Sequence, residues 1–149
     1  MSQSMQPTLI IGDKVLAFRF WPRGWIKKGD IVIIKPVENV EGLQFDCDQD
    51  VPWIKRVVAT SGDRVSIGTS RTQKNDLEVP IKVSVPQKHF YVNGDANIVR
   101  KIPTQIGFVP SLNFLGLVVL RFSNCDKHRN IEFLFRNKSA LISNLDAER

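Results

Sequence analysis

Trp53-Ile54-Lys55-Arg56-Val57-Val58-Ala59-Thr60 runs into Ser61-Gly62-Asp63 and then into Arg64-Val65-Ser66-Ile67. A run rich in β-branched and aromatic residues, a turn tripeptide and a second short run form a strand–turn–strand unit. The same grammar recurs on both sides. Lys14–Trp21 alternates and is rich in β-formers, and Ile31–Ile34 is continuously apolar, as in a strand buried on both faces. His89–Val92 leads into Asn93-Gly94, a strong turn signal, and Leu115–Phe122 is a last strand. Between Gly68 and Pro86 the chain is polar and irregular, which predicts an insertion loop or a long hairpin. Helical periodicity is confined to Asn137–Glu148, a terminal helix or a frayed tail. Gly-Asp occurs four times, at 12–13, 29–30, 62–63 and 94–95, each time beside a strand. That is ordinary turn chemistry, since Gly allows positive φ and Asp bonds its own backbone. The fold class is mainly β, built of short strands and tight turns.

Composition narrows the class further. The chain has 149 residues, 42% hydrophobic and 24% charged, so it is one domain and not a disordered chain. Two cysteines, Cys47 and Cys125, are too few for a disulfide scaffold and lack metal-site spacing. No metal and no cofactor is expected. No window holds the ~18 apolar residues needed to span a bilayer, and Ser2, Gln3 and Gln6 interrupt any N-terminal leader. Net charge is +6 and unevenly spread. Lys14–Lys28 carries five basic residues and no acid; Glu38–Asp50 carries five acids and no base. A solvated face accounts for either block, and a basic face also suits an anionic partner.

Two routes lead to a nucleophile. His89 and His128 have no serine in a GxSxG-type setting nearby, so nothing supports a serine–histidine triad. A serine paired with lysine requires the lysine to be neutral, and burial among apolar groups produces that. Lys55 lies in such a strand. Alternation sends Lys55 and Arg56 to opposite faces, and the pattern alone leaves open which of them points inward. Ser4 precedes Pro7, which stiffens the chain behind it.

Together these residues form a pattern. Ser4-Met5-Gln6-Pro7-Thr8-Leu9 with Gly12-Asp13, then Gly29-Asp30-Ile31-Val32, then Lys55-Arg56-Val57-Val58 with Gly62-Asp63, then Asn93-Gly94-Asp95 with Gly107-Phe108-Val109-Pro110, resemble in order the four blocks of type I signal peptidases. The resemblance spans Ser4 to about Phe122. It implies a signal-peptidase-like fold of short antiparallel strands and one catalytic domain over 1–149, with its motifs in about 2–122 and a C-terminal extension over 123–149. It implies a serine endopeptidase that removes signal or leader peptides from translocated precursors, with Ser4 as nucleophile and Lys55 as general base. The Ser4 backbone N–H and the Ser2 hydroxyl would form the oxyanion hole. Substrates would carry small residues at the first and third positions before the cut, with Ile10, Ile33 and Val57 as candidate pocket walls.

The last block departs from the family. Arg100 stands where the family has a serine beside the lysine, and Ile102 and Thr104 stand where it has an Asp–Arg ion pair. Losing both partners strands no charge. The family also has a membrane anchor ahead of the serine, which Met1–Gln3 do not supply. The expected setting is a membrane surface, with the catalytic domain on its outer (trans) side. Phe18-Arg19-Phe20-Trp21-Pro22-Arg23-Gly24-Trp25-Ile26-Lys27-Lys28 suits a lipid interface or a half-buried hairpin with a basic edge. Two other readings compete: an inactive homologue acting as a binding partner, and a basic β-barrel that stacks single-stranded nucleic acid on those aromatics. The second leaves Ser4 and Lys55 unexplained, so no nucleic-acid partner is expected.

Overall fold

The computed structural model describes residues 3–36, 51–71, 78–99, 107–125 and 128–135. Its strands are β1 (Lys14–Phe18), β2 (Ile31–Ile34), β3 (Trp53–Thr60), β4 (Arg64–Arg71), β5 (Glu78–Ser84), β6 (His89–Asn93), β7 (Gly107–Pro110), β8 (Phe114–Cys125) and β9 (His128–Phe133). One short helix, α1 (Asp95–Val99), follows β6. All pairings are antiparallel. The main sheet runs β1-β8-β2-β3-β6-β7, with β9 also on β8, and β4 pairs with β5 as a separate ribbon. The class is therefore mainly β, as expected.

The central strands are apolar because both of their faces are covered. Val32, Ile34, Val57, Val92, Val109 and Leu117 are each fully buried in one cluster. The polar stretch after Gly68 is in part a hairpin, β4–β5, resolving that alternative. Arg64–Ile67 extends to Arg71, and β1 stops at Phe18 rather than Trp21. Arg23–Trp25 then forms a 3-10 turn, so the basic-aromatic stretch is not a hairpin. Two strands were not expected, β7 and β9. The Asn137–Glu148 helix, the Glu38–Asp50 acidic block, Cys47, Ser2, Arg100, Ile102 and Thr104 lie outside the described residues, as does the Cys125 side chain.

Two registers place the chemistry. Val32 faces Lys55 across β2–β3, and Arg56 faces Asn93 across β3–β6. The Gly94-Asp95 turn thus leaves the sheet beside Arg56. The segment ahead of β1 folds back over β3. Gln3–Met5 is a 3-10 turn, and Met5 and Leu9 are buried with Ile31 and Val118, against the partly buried Ile54. Burying a Met or Leu side chain stabilises by roughly 1.5–3 kcal/mol, enough to hold the neighbouring Ser4 over the strand.

Candidate active site

Ser4 and Lys55 meet. Lys55 Nζ lies 2.6 Å from Ser4 Oγ, across 51 residues of sequence. Lys55 is only 8% exposed, and burial pushes its amine below the ordinary lysine range; Asp95 pulls weakly the other way. Desolvation disfavours the ammonium, so the neutral amine needed to take a hydroxyl proton is populated at lower pH than in an exposed lysine.

Arg56 is buried too, at 3% exposure. The two faces offered by strand alternation are therefore both interior, for different reasons. Lys55 is covered by the nucleophile loop. Arg56 is sealed in a buried ion pair with Asp95, itself 0% exposed: Nε donates to Oδ1 at 2.6 Å and Nη2 to Oδ2 at 2.7 Å. Nη1 donates to the Gly29 carbonyl at 2.7 Å, and Nη2 also reaches Thr8 Oγ1 at 3.3 Å. A guanidinium fork satisfied on all sides can be kept charged in the interior. This pair was not anticipated. Its sequence signal was Gly94-Asp95, which looks like any other Gly-Asp turn.

Gly94 has a separate duty. A Cβ built there would overlap the Ser4 carbonyl oxygen and stand 2.9 Å from Ser4 Cβ. The turn after β6 can press against Ser4 only because residue 94 has no side chain. Asn93 Oδ1 accepts the Gly94 N–H at 2.9 Å and the Asn97 amide at 3.3 Å, fixing that turn.

Among the candidate pocket walls, Val57 is excluded: it is fully buried in the main core cluster, because it pairs with Val92 inside the sheet. Ile10 is exposed on the nucleophile loop, and Ile33 packs partly buried against the Met5–Leu9 cluster. His89 bonds the Gln87 carbonyl through Nδ1 at 2.8 Å, far in role from any nucleophile. Among the described residues, no group of three or more His, Cys, Asp or Glu side chains could hold a metal ion.

Comparison with known proteins identifies relatives of the chain. The profile of the family described as signal peptidase, peptidase S26, matches residues 1–80. The chain is 30% identical over 137 residues to the probable signal peptidase I-1 of Synechocystis sp., covering 81% of this chain and 67% of that protein. It is 28% identical over 137 residues to the signal peptidase I of Leptolyngbya laminosa, covering 81% and 65%. It is 31% identical over 88 residues to the signal peptidase I of Aquifex aeolicus, covering 58% and 30%. The chain thus spans about two thirds of the length of the first two of these relatives. A profile matched across more than half of the chain, and 30% of positions identical over 81% of it, exceed what shared turn chemistry could produce: the chain belongs to the signal peptidase family, peptidase S26, a family of serine endopeptidases.

Proposed function

We propose that this chain hydrolyses the peptide bond that joins a signal or leader peptide to a translocated precursor protein, with Ser4 as nucleophile and Lys55 as general base. The observation that carries the reading is the 2.6 Å approach of a buried lysine amine to a serine hydroxyl. The neutral amine accepts the Ser4 hydroxyl proton as Oγ attacks the scissile carbonyl carbon. A tetrahedral oxyanion forms, stabilised by the Ser4 backbone N–H and, through the resemblance, the Ser2 hydroxyl. The intermediate collapses as the ammonium returns its proton to the leaving amine, leaving an ester on Ser4. Water then attacks the ester as Lys55 takes its proton, and the second tetrahedral intermediate breaks the Oγ–acyl bond as the ammonium returns that proton to Ser4 Oγ, releasing the carboxylic acid. Substrates carry small residues at the first and third positions before the cut.

The test is hydrolysis of such a peptide, with Ala at both positions, in detergent. Ser4→Ala and Lys55→Ala are each expected to abolish cleavage. Equal inertness of all three proteins would leave the binding-partner reading in its place.

The reaction is proposed to occur at the outer face of a membrane. Among the described residues no helix is long and apolar enough to cross one. An exposed aromatic face supports contact with lipid: Phe20 is 99% exposed, Trp25 61% and Phe18 54%, beside Arg19, Arg23, Lys27 and Lys28. An apolar groove of about 250 Å³ runs beneath it, lined in part by Leu16, Phe18, Trp21, Phe133 and Phe135. Trp21 is half-buried and packs edge-on against Trp25 and Phe135, so one aromatic anchors the stretch while its neighbours stay in solvent. The chain is expected to float with vesicles containing anionic lipid, and the double substitution Phe20→Ser with Trp25→Ser to lose most of that binding. Equal flotation of both proteins would remove this face from the reading.

A further inference from the structure

We infer that Arg121 is a positioning residue for the Ser4 nucleophile, acting through one peptide group of the loop that carries it. The inference rests on the Ser4–Lys55 reading and adds to it a residue outside the family blocks.

Arg121 stands on β8, opposite Val15 of β1 and Glu132 of β9. Its Nη1 donates to the Thr8 carbonyl at 2.6 Å. The N–H of that same peptide unit belongs to Leu9 and donates to the Met5 carbonyl at 2.9 Å. A trans peptide is planar, and its C=O and N–H point in opposite directions. One rigid plate therefore joins Arg121 on one side to the residue after Ser4 on the other. Moving the guanidinium moves the plate, and the plate moves Met5.

The guanidinium meets a carboxylate on each of two further sides. Nη2 pairs with Glu132 Oε2 at 2.5 Å, and Nε stands 4.0 Å from Asp13 Oδ2. The Asp13 side chain is 3% exposed, and its Oδ2 accepts the Ile10 N–H at 3.0 Å. Arg121 thus faces the loop at Thr8 and again at Asp13, where the loop enters β1. Arg56 grips Thr8 from the opposite strand through the hydroxyl. Two arginines and Thr8, with Pro7, Ile31, Glu132 and Leu134, line an open pocket of about 200 Å³ beside the loop. Conversely, Gly94 allows the turn on the other side of Ser4 to approach closely, so displacement of the loop alters the Oγ–Nζ geometry directly.

The experiment compares wild type, Arg121→Lys and Arg121→Gln on the Ala-containing peptide. Rates are taken per folded molecule, with pH profiles of kcat and with Ser4→Ala as baseline. Misplacing a nucleophile by about 1 Å costs on the order of 10²-fold, so Arg121→Gln is expected to lower kcat by about that factor. KM should stay nearly constant, and the acidic limb of the profile should stay in place because Lys55 remains buried. Arg121→Lys keeps the charge toward Asp13 and Glu132 but loses the planar fork, and should fall between, about tenfold down. Arg121→Lys also serves as the folded test should Arg121→Gln fail to fold. An unchanged kcat in either variant overturns the assignment. So does a loss in both accompanied by movement of the limb toward the ordinary lysine range, which would mean general loosening of the fold. Cleavage by Ser4→Ala at the wild-type rate would instead overturn the nucleophile assignment itself.

Discussion

The same dipeptide closes the turn after β3 and the turn after β6, and the two are put to different uses. At Gly62-Asp63 the glycine takes φ +90°, and the Asp63 carboxylate turns back on its own chain, accepting the Thr60 N–H at 2.9 Å. Asp13 and Asp30 behave alike, each accepting an N–H three residues earlier. At Gly94-Asp95 the glycine matters because Ser4 lies against it, and the carboxylate leaves its turn to hold Arg56. A local turn costs little and can be placed anywhere. A turn whose side chain reaches another strand ties together the parts of an active site.

Exchanging the glycines should give the widest separation. Gly94→Ala must push the nucleophile loop off Lys55, and kcat is expected to drop on the order of 10²-fold or more. Gly62→Ala meets open space and only left-handed strain, about 1–2 kcal/mol of stability, with kcat kept. Steady-state kinetics beside thermal unfolding measures both, and equal kinetic losses would end the distinction.

The aspartates give the next contrast. Asp95→Asn strands a buried guanidinium and should cost about 3–5 kcal/mol. Asp63→Asn weakens two part-buried turn bonds, from the Thr60 N–H and the Thr60 hydroxyl, about 1 kcal/mol in all; denaturant titration separates them. The pH profile sharpens this further. With Lys55 as the proposed base, its amine must be neutral, so the acidic limb of kcat should lie below the ordinary lysine range, where burial has moved the amine. Asp95 favours the charged amine, so removing its charge should move that limb to lower pH, and Asp63→Asn should leave it where it was. A limb at the ordinary lysine pKa in the wild type would remove Lys55 as the base.

Much of the site was legible because its signals are local. Ser4, with Pro7 close behind it, and Lys55 within an apolar run, are visible as stretches of chain. The central strands are visible for the same reason, since burial on both faces leaves Ile31–Ile34 continuously apolar. What escaped was everything set by a partner far away. Asp95 is indistinguishable from Asp63 until the β3–β6 register brings Arg56 beside it. Among the described residues β9 pairs with β8 alone, so it lacks the continuous apolar run that marks the central strands. Without β9 there is no Glu132 opposite Arg121, and so no reason to single out an arginine at the end of an apolar strand.

The 51-residue separation of Ser4 and Lys55 has a consequence for the life of the chain. In the proposed dyad neither residue is reactive by itself, and the lysine's affinity for protons falls only once the sheet has closed around it. A chain still emerging, or one locally unravelled, carries a protonated lysine and an idle serine. On the proposed mechanism proteolytic power arrives with the tertiary structure, and the fold does the work that a removable inhibitory segment does in proteases whose nucleophile is competent from the start.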